Sequence, residues 1–411
     1  MHTGNYSITR AVAFVMFVFT NHTGIAQPIT KANIDKYLSE IVRHYGSDEV
    51  KYLFDLREKF SYQQWLLSDK QWSLVLFSLP TIIHELQHRH NDLVKLSGEE
   101  HFTYFITTDC EHAVPALGYF QTDALNNFVP RSTADSLLRY NIYVGKQSGI
   151  QGYKLNFAIN TDRNISYSIH YGIYGLLEEY AAYYRSMQTF MLLYPYVIKQ
   201  ANLTHSKSGI NLLCDYKYYV YQEAGAHYEF QLYIAWYLQY ARQYKPLHYD
   251  SLMNNYALRK VFTLIKYNFE KLVNDALQLL DTVPITSHQL GALASLRYDH
   301  TEEDLCRYIV LSGILGSQNI SDYVRITVTP TGDSTYKYIG SKGMYKYFKK
   351  HYELTKQTLY DTYGGLQEAT LFAYLTDPVA VMYFAKSRLT GEASHILEQF
   401  MVETDTDKPC R

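Results

Sequence analysis

Apolar residues recur three and four positions apart along most of this chain, the spacing of helices that bury one side. Two stripes matter most. Leu79, Ile82, Ile83 and Leu86 line one face of a first helix, and Leu177, Tyr180, Ala181 and Tyr184 line one face of a second. Ser78 offers the first helix an N-cap and Pro80 a first-turn residue. Residues 72–77 just before it read equally as a buried strand or an earlier helical turn. Further helical patterns cover 33–70, 132–140, 177–200, 222–244, 255–281, 343–361 and 365–402. Strand patterns are sparse. Residues 140–159 mix alternation with glycines, and 323–339 reads as a hairpin around Pro330-Thr331-Gly332-Asp333. The expected class is α+β, predominantly helical, with a small β insertion and a C-terminal β-hairpin. No repeat or low-complexity linker divides residues 27–411, which read as a single domain long enough for two lobes around a cleft.

The polar side of the first stripe carries the candidate chemistry. His84-Glu85-Leu86-Gln87-His88 has the form H-E-x-x-H. Two His at i and i+4 share a helix face, so both imidazoles can reach one Zn²⁺, with Glu85 beside them as general base on a metal-bound water. They project opposite the apolar stripe. An open zinc site needs a third protein ligand. The metzincin continuation is absent, because Asn91 and Val94 stand where Gly and His would be required. Downstream, the second stripe carries Glu178 and Glu179, while His101, Glu111, His112 and His170 lie between the two segments. His90 is a poor choice, since i+2 points away from His88.

The pairing of H-E-x-x-H with a glutamate on a second helix resembles the gluzincin branch of zinc metallopeptidases. Leu177, Glu179, Ala182 and Tyr184 match the L-x-E-x-x-A-x-Y-like setting of that family's ligand glutamate. The resemblance implies a zincin-like metallopeptidase fold with zinc held by His84, His88 and Glu179. Glu178 matches a register one residue earlier, and the glutamate not used as ligand would support the site or be solvated. The resemblance further implies peptide or protein substrates, Glu85 as the catalytic base, and a Tyr or His donating to the oxyanion. His227, in the helical stretch from Tyr221, or a neighbouring Tyr is the candidate for that donor. The two motifs stand about ninety residues apart, which implies an insertion between them.

The N-terminus adds a destination. Arg10 closes a short polar region, Ala11 to Phe19 are apolar, and Gly24-Ile25-Ala26 precedes Gln27. This is the pattern of a secretory signal peptide over residues 1–26, so the expected location is secreted or periplasmic. No later stretch is apolar enough to span a membrane, and no basic run points to nucleic acid or to a membrane surface. Cys110, Cys214, Cys306 and Cys410 contain no C-x-x-C pair. In an oxidising compartment they allow at most two disulfides, and of the four Cys410 is the one most expected to stay free. The 42 Tyr read as amphipathic packing residues rather than a binding groove. A second reading of the whole is a non-catalytic exported protein, derived from a peptidase fold, that binds peptide or glycan.

Overall fold

Local signals set the helix boundaries. Thr30 caps helix α1 (Lys31–Tyr45) by accepting from the Asn33 N–H. The Gly46 N–H closes it on the Val42 carbonyl, and Ser47 then caps α2 (Asp48–Asp55) through the Val50 N–H. The helical pattern over 33–70 is thus carried by two helices followed by short 3₁₀ turns at 56–58 and 63–65. The computed structural model describes residues 29–67, 71–95, 101–130, 133–134, 137–145, 167–204, 207–282, 324–328, 334–338 and 378–404. The leader, the strand pattern beyond residue 145, the helix expected over 343–361 and the start of that over 365–402 lie outside them.

Helix α3 (Trp72–Lys95) carries H-E-x-x-H. It begins seven residues earlier than the cap signal suggested, so 72–77 is helix and Pro80 is interior, leaving the Leu76 carbonyl without its helical donor. Ser78 is not an N-cap. Its hydroxyl donates to the Leu74 carbonyl at 2.7 Å and accepts from the Leu67 N–H at 2.7 Å, tying the preceding loop to the helix. Leu79, Ile82, Ile83 and Leu86 are all within 1% of full burial, as their spacing required.

The strands fall elsewhere than expected. β1 (His101–Thr107) pairs antiparallel with β2 (Cys110–Pro115), whereas residues 140–143 form a short helix, α4 (Tyr140–Tyr143). Behind α5 (Tyr167–Tyr171), two long central helices follow: α6 (Ile173–Thr204) and α7 (Lys207–Tyr244). They pack along each other; α3, β1 and α9 (Tyr256–Thr282) lean on α6, while α8 (Pro246–Asn254), α10 (Pro378–Arg388) and α11 (Glu392–Phe400) lean on α7. The expected C-terminal hairpin is present as β3 (Val324–Val328) and β4 (Ser334–Tyr338). The protein is thus predominantly helical with small two-stranded antiparallel sheets. Among the described residues no helix is long and apolar enough to cross a membrane.

Tyrosine does the packing. Tyr104, Tyr140, Tyr174, Tyr180, Tyr233 and Tyr237 are fully buried, each large ring filling core volume while its hydroxyl finds a partner where one is within reach. Tyr174 Oη is 2.7 Å from both the N and O of Leu117, and Tyr237 Oη is 2.6 and 2.7 Å from the N and O of Phe120. These two clamps hold residues 117–120 against the entry of α6. At that entry Gly172 has φ of +59°, and a Cβ there would stand 2.2 Å from the Phe120 carbonyl oxygen. Both the left-handed backbone and the close approach exclude a larger residue.

Candidate metal centre

Two adjacent helices build the site. On α3, His84 and His88 lie one turn apart and turn their Nε2 atoms toward each other, 3.0 Å apart. From α6, Glu179 brings Oε2 to 3.6 Å from His84 Nε2 and 3.4 Å from His88 Nε2. Ala182, i+3 from Glu179 and 0% exposed, puts only a methyl group on that face of α6. A tetrahedral ion with ligand bonds of about 2.05 Å would place its ligands about 3.3 Å from one another. The three observed edges bracket that value. Glu179 is 7% exposed, and its Oε2 is buried without a hydrogen-bond partner, which an oxygen aimed at a cation would leave open. Among the described residues this is the one group of three or more metal-ligating side chains that converges, so His84, His88 and Glu179 can hold a metal ion.

Glu178, next to the ligand, is an orienting carboxylate. Its two oxygens each lie 2.7 Å from His88 Nδ1, and it also accepts from Asn91 Nδ2 at 3.1 Å. A proton on Nδ1 donated to Glu178 leaves the Nε2 lone pair facing the ion position, so the carboxylate selects the tautomer a metal needs. The electrostatics follow. Burial works against a charge on His88, but the adjacent Glu178 and Glu179 carboxylates outweigh it and raise its pKa well above the ordinary value. Burial likewise works against the Glu179 carboxylate, and the two imidazoles overcome it, holding its pKa at about 2.

The other candidate ligands are not brought here. His101 and His170 are exposed. Glu111 accepts from His90 Nε2 at 2.6 Å, and His112 Nε2 lies 3.5 Å from Cys110 Sγ, a sulfur held in a disulfide. Glu85 is half-buried on α3, next to His84 and about 60° around the axis from His88.

His227 is held in the core by its own partners. It is 1% exposed, Nδ1 meets Tyr180 Oη at 2.9 Å, and Nε2 meets Gln231 Nε2 at 2.8 Å. Both ring nitrogens are committed in the core, and burial lowers its pKa well below the usual value, so it stays neutral. It is therefore withdrawn as an oxyanion donor.

The chain matches no protein-family model, no curated protein and no solved structure. The site is accordingly read from its own geometry.

That geometry adds residues the sequence reading passed over. Tyr183 sets its ring edge against His84, centroids 4.6 Å apart, and its hydroxyl meets Tyr143 Oη at 3.0 Å. The Glu179 charge acts on both tyrosines. A signal for Tyr183 existed: it is i+4 from Glu179 and so shares its face. Nothing local marks Tyr143, which arrives from α4. Arg139 stacks over the Tyr183 ring at 4.6 Å and is paired with Glu229, backbone N to Oε2 at 2.9 Å and Nη1 to Oε1 at 3.3 Å. Tyr233 adds a 2.6 Å hydrogen bond to Glu229. On α7, Glu223 lies one turn before His227. Glu223 is 9% exposed; burial raises its pKa against the opposing charges of Arg139 and His84, and one of its oxygens has no partner.

Proposed function

We propose that this protein is an exported zinc-dependent peptidase, with His84, His88 and Glu179 as the metal ligands and Glu85 as the general base. The observation that supports the reading best is the triangle of Nε2, Nε2 and Oε2 atoms, with edges of 3.0, 3.4 and 3.6 Å and an orphaned carboxylate oxygen at one corner. Two imidazoles and one carboxylate are a borderline donor set that suits zinc and leaves a fourth position for water or substrate. When bound, the ion supplies Lewis acidity, polarising a carbonyl and lowering the pKa of water. The protein's own part is assigned as follows. Glu178 fixes the His88 tautomer. Glu85 accepts the proton of the attacking water and passes it to the leaving amine. Tyr183, whose ring packs against His84 and whose hydroxyl meets that of Tyr143, takes the place of His227 as the hydroxyl donor to the developing oxyanion.

A digest of an unstructured protein or peptide library tests this. Wild type loaded with zinc is expected to cleave. Glu85→Gln should keep the metal and the fold while losing cleavage by at least about a hundredfold, since an amide cannot accept the proton. Cleavage that survives both Glu85→Gln and a chelator would contradict the mechanism. A metal-loaded wild type that binds peptides and cuts none would favour the non-catalytic binding protein.

A further inference from the structure

The carboxylate that grips His88 is itself held. Glu178 is 3% exposed, and besides His88 it accepts from Asn91 Nδ2, 3.1 Å from Oε1. Asn91 lies i+3 from His88 on α3 and so shares its face. One turn back on that face, Gln87 Nε2 lies 3.5 Å from Asn91 Oδ1. With its oxygen turned to the Gln87 amide nitrogen, Asn91 presents its own N–H to the carboxylate. The direction of donation then runs one way, from Gln87 through Asn91 to Glu178.

Packing does not account for this arrangement. Asn91 and Gln87 are both 0% exposed, and Gln87 Oε1 is buried without a partner. A buried amide costs more than an apolar side chain of like size unless its hydrogen bonds offset the lost hydration. Two such amides stand side by side where α3 meets α6, and the one nearer α6 donates to the carboxylate that orients a metal-ligating imidazole.

We propose that Asn91 is a positioning residue of the metal centre, holding Glu178 in the place from which it aims His88 Nε2 at the ion. The residue whose identity excluded the metzincin continuation thus has its own part in the site, and the functional pattern on α3 extends to H-E-x-x-H-x-x-N. The inference rests on the zinc-ligand part of the reading above and not on peptide cleavage.

A double-mutant cycle on zinc affinity tests this, with the dissociation constant of the folded protein measured by competition with a chromophoric chelator. Asn91→Leu keeps the volume of the side chain and removes the donor. It should weaken zinc binding at least about fivefold, as the loss of a hydrogen bond to a charged group behind a ligand implies. In a Glu178→Ala background the same substitution should change affinity less than about twofold, because the carboxylate it acts through is gone. Asn91→Ala, which removes the donor without adding apolar bulk, should follow the same pattern and keeps the test decisive if the leucine variant misfolds. The visible absorption bands of Co²⁺-loaded Asn91→Leu should also be displaced from those of wild type, since a turned imidazole alters the ligand field. Wild-type zinc affinity in both Asn91 variants would overturn the proposal, and so would equal losses with and without Glu178, since Asn91 would then not act through it. A wild type that binds no zinc would overturn the metal centre and this inference together. Zinc binding with the coupling intact and no peptide cleavage would overturn the peptidase reading alone.

Discussion

At the scale of single residues, neighbouring glutamates divide the work. Glu179 points an unpaired oxygen at the ion position, and Glu178 grips the imidazole behind it. Glu179→Ala should therefore abolish tight zinc binding. Glu178→Ala should weaken it about 10–100-fold by freeing the His88 ring, which equilibrium titration would show. A choice of one glutamate over the other was the natural question from sequence, and the answer is that both serve the site. His227 yields a pH prediction. Its buried ring has a pKa well below the ordinary value, so the unfolded chain takes up a proton below about pH 6.5 that the folded chain refuses. The stability tied to its neutral form is present above that pH and lost as pH falls, at up to about 1.4 kcal/mol per unit. Between pH 6.5 and 5, wild type should lose more stability than His227→Gln in urea titrations. An equal loss in the two would remove the burial argument.

At the scale of elements, the helix that bears H-E-x-x-H and the one that bears Glu178 and Glu179 were both legible, because their apolar stripes are long and regular. Their ends were less so. Ser78 reads as a cap by type, yet Val75, Leu76 and Phe77 are buried in the core, and that burial extends the helix past it. The pair β1–β2 was missed because β1 is buried on both faces from Phe102 to Ile106, with Thr103 in the run, and so lacks the alternation that marks a half-exposed strand. The tyrosines around the site could not be ordered from sequence, since 42 of them share one residue type and only the fold selects Tyr143 and Tyr183. Two variants probe how elements hold the site. Gly172→Ala, at a positive φ with the Phe120 carbonyl in the way, should cost at least about 2 kcal/mol and lower Tm. Glu229→Ala should cost about 3–5 kcal/mol, because it strands the buried Arg139 that seats α4 and Tyr143. Thermal scans reading near wild-type Tm for both would show that neither contact holds its element in place.

At the scale of the whole molecule, α3 and α6 are joined in the core by apolar packing and at the site by polar groups that a cation would complete. Metal should then act as a stabiliser as well as a reagent: zinc at a hundred times its Kd adds about 2.7 kcal/mol to folding, and chelation should lower Tm accordingly. The fold itself should survive chelation, since the core around α6 and α7 is apolar and extensive. The most direct test of the account is metal content per chain after equilibrium dialysis against zinc, for wild type, His84→Ala, Glu179→Ala and the control Glu111→Ala, whose carboxylate lies at His90 instead. The account predicts about one zinc in wild type and in Glu111→Ala, and essentially none in the other two. Wild type without zinc, or zinc retained in Glu179→Ala, would contradict it.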